Sequence, residues 1–292
     1  MSDLQYARQI IGTQDLAFIV GNGINRYNNS SAISWIKMIA DIWNEITKEK
    51  ISDKDISDMS LTELYDLIEL HSIDSIELKR KIVEKTRLIE KTFIHYFLQA
   101  KFIELNVPVL TMNFDGLLEF GLEKRRLNKF HSDIYPWNEY YSCRELRNPL
   151  DGFGIWHING MVLYKRSIRL GLSEYMKQVV KANSLIHKGF SIDNFNGKNT
   201  DNWNGMNTWL HIFFNKNLFI FGLALGKDEV FLRWLLIQRE KYFKKFPERV
   251  KKSWFVCIKD EIKNSNKVFL ENLNFKILTL DSYKEIYDEM FV

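Results

Sequence analysis

Six short apolar runs punctuate a chain whose remaining hydrophobic positions recur with helical period. Leu16–Val20, Val107–Thr111, Phe153–Trp156 and Leu218–Phe221 are continuous rather than alternating, the mark of strands buried on both faces of a parallel sheet, and Trp254–Ile258 and Phe275–Leu280 are two further strand candidates. Pro108 falls near the start of its run, where a missing N–H does least harm. Ser34 to Ile39 opens a helical pattern with Ser31 or Ser34 as N-cap, and from Asp41 to Glu104 no strand signal interrupts the helical spacing. Leu61, Leu64, Tyr65 and Ile68 share one face there, as do Phe93, Ile94, Phe97 and Leu98. Further helices are expected over Gly116–Phe120, Ser173–Lys188, from Glu229, and over Tyr283–Met290. Strands separated by helices predict an α/β, Rossmann-like and mostly parallel sheet with helices on both faces. The long helical stretch becomes an insertion lobe over residues 41–105, after the first strand, within a single domain spanning 1–292.

Composition narrows the class. The 292 residues are 46% hydrophobic with only four prolines and no low-complexity tract, so the whole chain is expected to fold. The formal charge of +4 is small, and the basic groups at Lys124-Arg125-Arg126 and between Arg239 and Lys252 read as solvated helix faces ahead of a nucleic-acid patch. Cys143 and Cys257 form no paired motif, which fits free thiols in a reducing compartment. Met1 to Gln14 has no apolar signal core, and no run approaches the roughly 18 residues that span a bilayer. A cytoplasmic protein without membrane contact is expected. The Asn/Gly-rich stretch Ser191–Asn207, with Phe195, Trp203 and Met206 as apolar anchors, reads as an ordered surface loop or lid.

The chemistry gathers where strands end. Gly21-Asn22-Gly23-Ile24-Asn25 can form a phosphate loop, since glycines turn tightly and let backbone N–H groups approach an anion. A plain strand-to-helix turn competes with that reading on even terms. Arg26 stands where a dehydrogenase fingerprint needs its third glycine, and no acidic residue ends a second strand about 20 positions on, which disfavours ordinary hydride transfer. Thr111-Met112-Asn113-Phe114-Asp115 puts an amide at a strand tip where it can orient a water or a sugar hydroxyl; for Asp115 alone an Asx-turn or N-cap is the better reading. His157 follows another apolar run and can serve as base or accept from a hydroxyl, although a single histidine is more often structural. Asn159-Gly160 behind it is a turn that permits close approach, and the other five histidines show no metal-ligand spacing.

Gly-x-Gly-Ile-Asn, Thr-x-Asn-x-Asp, His-x-Asn-Gly and the later Gly222-x-x-x-Gly226-x-Asp228, in that order, resemble the sirtuin-like NAD-hydrolase domains of bacterial anti-phage defence. The resemblance spans Leu16 to about Leu236. It implies that Gly21, Asn22, Gly23, Ile24 and Asn25 surround the NAD pyrophosphate and nicotinamide ribose, with Asn159 beside them. It makes Asn113 the catalytic asparagine, His157 the catalytic histidine and Asp115 the supporting carboxylate, and it puts Gly222, Leu223 and Asp228 near the adenosine half. Asn25 replaces a usual serine and Ala224 a small hydroxylated residue. The sirtuin zinc module is missing, because two distant cysteines cannot supply its four paired ligands, and no metal is expected. Its loss points to water as acceptor rather than acetyl-lysine.

The implied reaction is hydrolysis of NAD⁺ to nicotinamide and ADP-ribose, with NAD as substrate. An unregulated enzyme of this kind would exhaust its own cell, so homo-oligomer formation or a partner protein is expected to control it. ADP-ribosyl transfer, deacylation and a non-catalytic NAD or ADP-ribose-binding module are the alternatives on the same fold.

Overall fold

The computed structural model describes residues 1–72, 74–120, 122, 126–131, 134–187 and 202–292. Its eight strands are β1 (Leu16–Val20), β2 (Pro108–Thr111), β3 (Arg126–Lys129), β4 (Glu139–Ser142), β5 (Gly154–His157), β6 (Asn217–Phe221), β7 (Ser253–Ile258) and β8 (Lys276–Leu280). They form one sheet in the order β3-β4-β5-β2-β1-β6-β7-β8. The six strands from β5 to β8 are parallel, and β4 and β3 add an antiparallel edge. The parallel part runs outward from β1 through β2 to β5 on one side and through β6, β7 and β8 on the other. That is the Rossmann-like arrangement, whose strand order reverses between β1 and β6.

Alternation along each strand explains the continuous apolar runs. Ala17, Ile19, Leu110, Trp156 and Ile220 face one core, covered by α8 (Leu172–His187), α9 (Trp209–Asn215), α10 (Val230–Lys245) and α11 (Asn264–Asn272). Phe18, Val20, Val109, Ile155 and Phe221 face the other, covered by α1 (Asp3–Thr13), α7 (Phe93–Glu104) and the C-terminal helical turn Glu285–Glu289. Burial on both faces leaves no polar stripe on the central strands β1, β2, β5 and β6, which read as hydrophobic blocks.

A third core belongs to the insertion. α3 (Trp35–Thr47), α5 (Leu61–His71) and α6 (Ser75–Thr86), with the short α4 (Asp53–Asp58), enclose Met38, Ile42, Leu64, Tyr65, Ile68 and Ile82, and Phe114 seals the side nearest the sheet. α7 does not join this core: its Leu98 and Phe102 pack on Phe18 and the sheet. The lobe with its own core therefore runs from α3 to α6, starting before residue 41 and ending before residue 105.

Several elements differ from the sequence expectation. Gly116–Phe120 is a succession of turns rather than a helix, and Asp115 Oδ1 accepts the Leu117 N–H at 3.0 Å at its start, closing an Asx-turn. β3 and β4 were not expected; β3 is a polar edge strand and β4 carries Glu139 and Ser142. α1 was likewise not expected, although Ser2 and Gln5 form a capping box at its start. Residues 191–201 of the expected lid, and Lys124 and Arg125, lie outside the described residues; Trp203 is buried and Met206 packs on the α8–α10 side, as anchors should. No described helix is long and apolar enough to cross a membrane.

Candidate functional site

Register brings the tips together. Val20 pairs with both Thr111 and Phe221, and Thr111 pairs with His157, so β5, β2, β1 and β6 end side by side. Beyond those ends, at the point where strand order reverses, lies a cleft of about 410 Å³. Asn22, Gly23, Asn113, Asn159, Gly222, Leu223 and Asp228 all line it. A switch-point crevice of this size is where open α/β sheets bind ligands.

The glycine loop is shaped first by packing. Gly21 N–H donates to the Phe221 carbonyl at 3.2 Å and Gly23 N–H to the Gly222 carbonyl at 2.8 Å, tying the tip of β1 to that of β6. A Cβ on Gly23 would come within 2.8 Å of Gly222 Cα, and Gly222 itself has φ of +67°. Only glycine fits this junction. The helix that follows, α2 (Gly23–Arg26), is a single turn. Of the N–H groups of the expected phosphate loop, these two serve the β1–β6 junction. Gly21 also lies off the cleft wall, Ile24 is buried in the sheet core, and Asn25 is fully buried behind the loop.

Asn25 instead anchors a buried polar chain. His95 Nδ1 accepts the Thr92 N–H at 3.1 Å, which leaves the proton on Nε2 to donate to Asn25 Oδ1 at 3.1 Å. Burial pulls the His95 pKa down to about 4, so the ring is neutral. Asn25 Nδ2 then donates to Asp115 Oδ2 at 2.7 Å and to Asn22 Oδ1 at 2.9 Å. Burial pushes the Asp115 pKa up, and the bonds from Leu117 and Asn25 pull it partly back. Asp115 thus braces the glycine loop and does not reach the cleft wall.

Residues 113–115 send three side chains three ways. Asn113 lines the cleft, Phe114 fills the lobe core against Trp35 with ring centroids 4.5 Å apart, and Asp115 joins the polar chain. Asn113 is 2% exposed, its Nδ2 donates to the Gly21 carbonyl at 3.2 Å, and its Oδ1 has no partner. Asn159 is similar: Nδ2 reaches the Met112 carbonyl at 3.4 Å and Oδ1 is unpartnered. Leaving a buried acceptor unmade costs about 1–3 kcal/mol. Two such oxygens on neighbouring strand tips at one cleft are acceptors poised for hydroxyl or water donors.

His157 shares the face of Ile155, so alternation turns it away from the cleft. Its Nδ1–H donates to the Asn113 carbonyl at 2.8 Å, and Nε2 lies 3.1 Å from Glu119 Oε1. Both ring nitrogens are engaged and the side chain is 1% exposed. Burial opposes protonation, but the Glu119 carboxylate, the Asn113 carbonyl and Asp115 outweigh it, and the His157 pKa is raised. In this arrangement His157 holds the backbone of Asn113 and does not face a bound ligand.

Two acids escaped sequence reasoning. Glu119 meets His157 only through the fold, and no spacing signals it. Glu229 lines the cleft next to Asp228, where burial and the Asp228 charge push its pKa up to about 7. Its one signal was an acid following the Gly-x-x-x-Gly-x-Asp segment at the entry to α10. Asp228 faces the cleft but also caps the lobe: its Oδ1 accepts the Leu61 N–H, a first-turn donor of α5, at 2.8 Å. Asp228→Ala is expected to cost about 1 kcal/mol, read as a lower urea midpoint with an unchanged m-value. Among the described residues no group of three or more His, Cys, Asp or Glu could hold a metal ion. No protein-family model and no curated protein sequence matches this chain.

Proposed function

We propose that the chain hydrolyses NAD⁺ at the bond between nicotinamide and ribose, in the cleft at the ends of β1, β2 and β6. The observation that carries the reading is the unpartnered, buried Oδ1 of Asn113 at the strand-order switch point. The C1′–N bond breaks, the pair of electrons leaves with nicotinamide, and positive charge develops on the ribose ring. A water held by Asn113 Oδ1 adds to C1′ and gives up one proton, yielding ADP-ribose. Positioning of this kind lowers the barrier because the acceptor is already in place when the cation forms. Glu229, with a pKa near 7, is suited to take the proton. His157 fixes the carbonyl of Asn113, and Asn159 Oδ1 is available to a ribose hydroxyl.

A binding module without turnover is the second reading, favoured by the engagement of both His157 nitrogens and of the Gly21 and Gly23 N–H groups. Conditional activity in anti-phage defence and control through self-association or a partner protein belong to the proposal through the resemblance, and cytoplasmic location through the unpaired Cys143 and Cys257. The test is a time course of NAD⁺ with the purified chain, alone and as an isolated oligomer, with products identified by mass. Nicotinamide and ADP-ribose appearing in equal amounts supports hydrolysis. Saturable binding with NAD⁺ intact in every assembly state supports the module instead.

A further inference from the structure

A second hollow, of about 490 Å³, lies at the opposite end of the sheet, where β7 and β8 begin beside the last turn of α10. Trp254 and Phe243 give it an aromatic floor, while Lys251, Lys252 and Lys276 stand at its rim. One acid, Glu240, shares the wall, and its Oε1 accepts from Asn274 Nδ2 at 2.6 Å.

Arg239 sets this hollow apart. It is 2% exposed, with one guanidinium nitrogen donating to the Lys216 carbonyl at 2.8 Å and the other to Ser253 Oγ at 3.4 Å. The Phe243 ring lies 4.7 Å from the guanidinium carbon. Nε has no partner, and no acidic side chain lies within ion-pair distance among the described residues. Burial lowers its pKa to about 9, with the Glu240 charge opposing. A buried cation without a counter-charge costs several kcal/mol. The planar fork of arginine is also the side chain best matched to phosphate oxygens.

We infer that this hollow binds a phosphate-bearing small molecule, its phosphate against Arg239 and the rim lysines and its ring or apolar part on Trp254 and Phe243. The inference stands apart from NAD⁺ hydrolysis and needs no turnover. A concave site with a sunken guanidinium suits a small ligand better than a nucleic-acid strand, which tracks basic groups along an open groove.

The test titrates ATP, pyrophosphate and inorganic phosphate into the full chain at constant ionic strength by calorimetry, with hydrogen exchange to locate the site. Saturable binding of ATP or pyrophosphate is expected, with slowed exchange over residues 239–254 and 273–276. The exposed-rim double variant Lys252→Glu/Lys276→Glu, checked for an unchanged thermal melt, should bind about tenfold more weakly or worse. Arg239→Lys, which keeps the charge and loses the fork, should weaken binding as well. ATP is expected to bind more tightly than pyrophosphate through contact of its ring part with Trp254 and Phe243; equal affinities would overturn the aromatic half of the inference. Absence of saturation, protection confined to 21–26 and 222–229, or unchanged affinity in the rim variant would each overturn the inference. So would a single-stranded oligonucleotide that displaces ATP with affinity falling steeply with salt.

Discussion

Asn113→Ala is expected to reduce nicotinamide release by roughly 10²–10³-fold, the usual cost of losing one positioned polar group at a reacting centre. The thermal midpoint of the free protein should stay level or rise. The substitution removes the Nδ2 donor and leaves the buried Gly21 carbonyl without it, at a cost of about 1–3 kcal/mol. It also removes the unpartnered Oδ1, which costs about 1–3 kcal/mol while no ligand satisfies it. The two nearly cancel, so activity and stability part company as they do at sites built for a ligand rather than for the fold. Steady-state release of nicotinamide and a calorimetric melt of the same preparation check both halves. A variant that loses several degrees and all activity together would show Asn113 to be structural.

The sheet was largely legible because its central strands are buried on both sides. Leu16–Val20 is a strand with the predicted ends, and the other five apolar runs fall on strands displaced by a residue or so. Burial on both faces marks the central strands, and the edge strand β8 still shows enough apolar residues to be read. Arg126–Lys129 and Glu139–Ser142 carry polar residues because one lies at the sheet edge and the other pairs with it, so no hydrophobic block marks them. At Gly116–Phe120 the apolar spacing of Leu117, Leu118 and Phe120 has a helical look, and the Asp115–Leu117 bond suits a turn as well as a helix start, so the local sequence does not separate the two.

For the site, position along the chain was readable and direction was not. Asn113, Asn159 and Gly222 reach one cleft because they sit just past aligned strand ends, and Asp228 joins them from the segment between β6 and α10. His157 belongs to the same row of tips, yet it is the last residue of its strand and points to the α7 side. One residue of alternation decides between facing a ligand and holding the backbone that faces it. Glu119 had no sequence signal and Glu229 only its place after Asp228, because their significance comes from neighbours distant in sequence or from burial.

Removing Glu119 tests the layer behind Asn113 and should have the largest effect on stability. Glu119 and His157 are each about 2% exposed and 3.1 Å apart, so Glu119→Ala leaves a buried imidazole without its carboxylate. Breaking a buried pair from one side costs about 3–5 kcal/mol. The pH dependence should change sign as well. In the wild type the His157 pKa is raised above the 6.5 of the unfolded chain, so its stabilisation is complete below about 6.5 and is lost as pH rises through the folded value. In Glu119→Ala burial dominates and depresses that pKa, so the histidine then opposes folding as pH falls below about 6.5. Urea midpoints at pH 5.5, 7 and 8.5 should converge at the alkaline end, with the variant's deficit widest in acid. A deficit independent of pH would mean that Glu119 supports the fold through packing alone, leaving His157 neutral throughout.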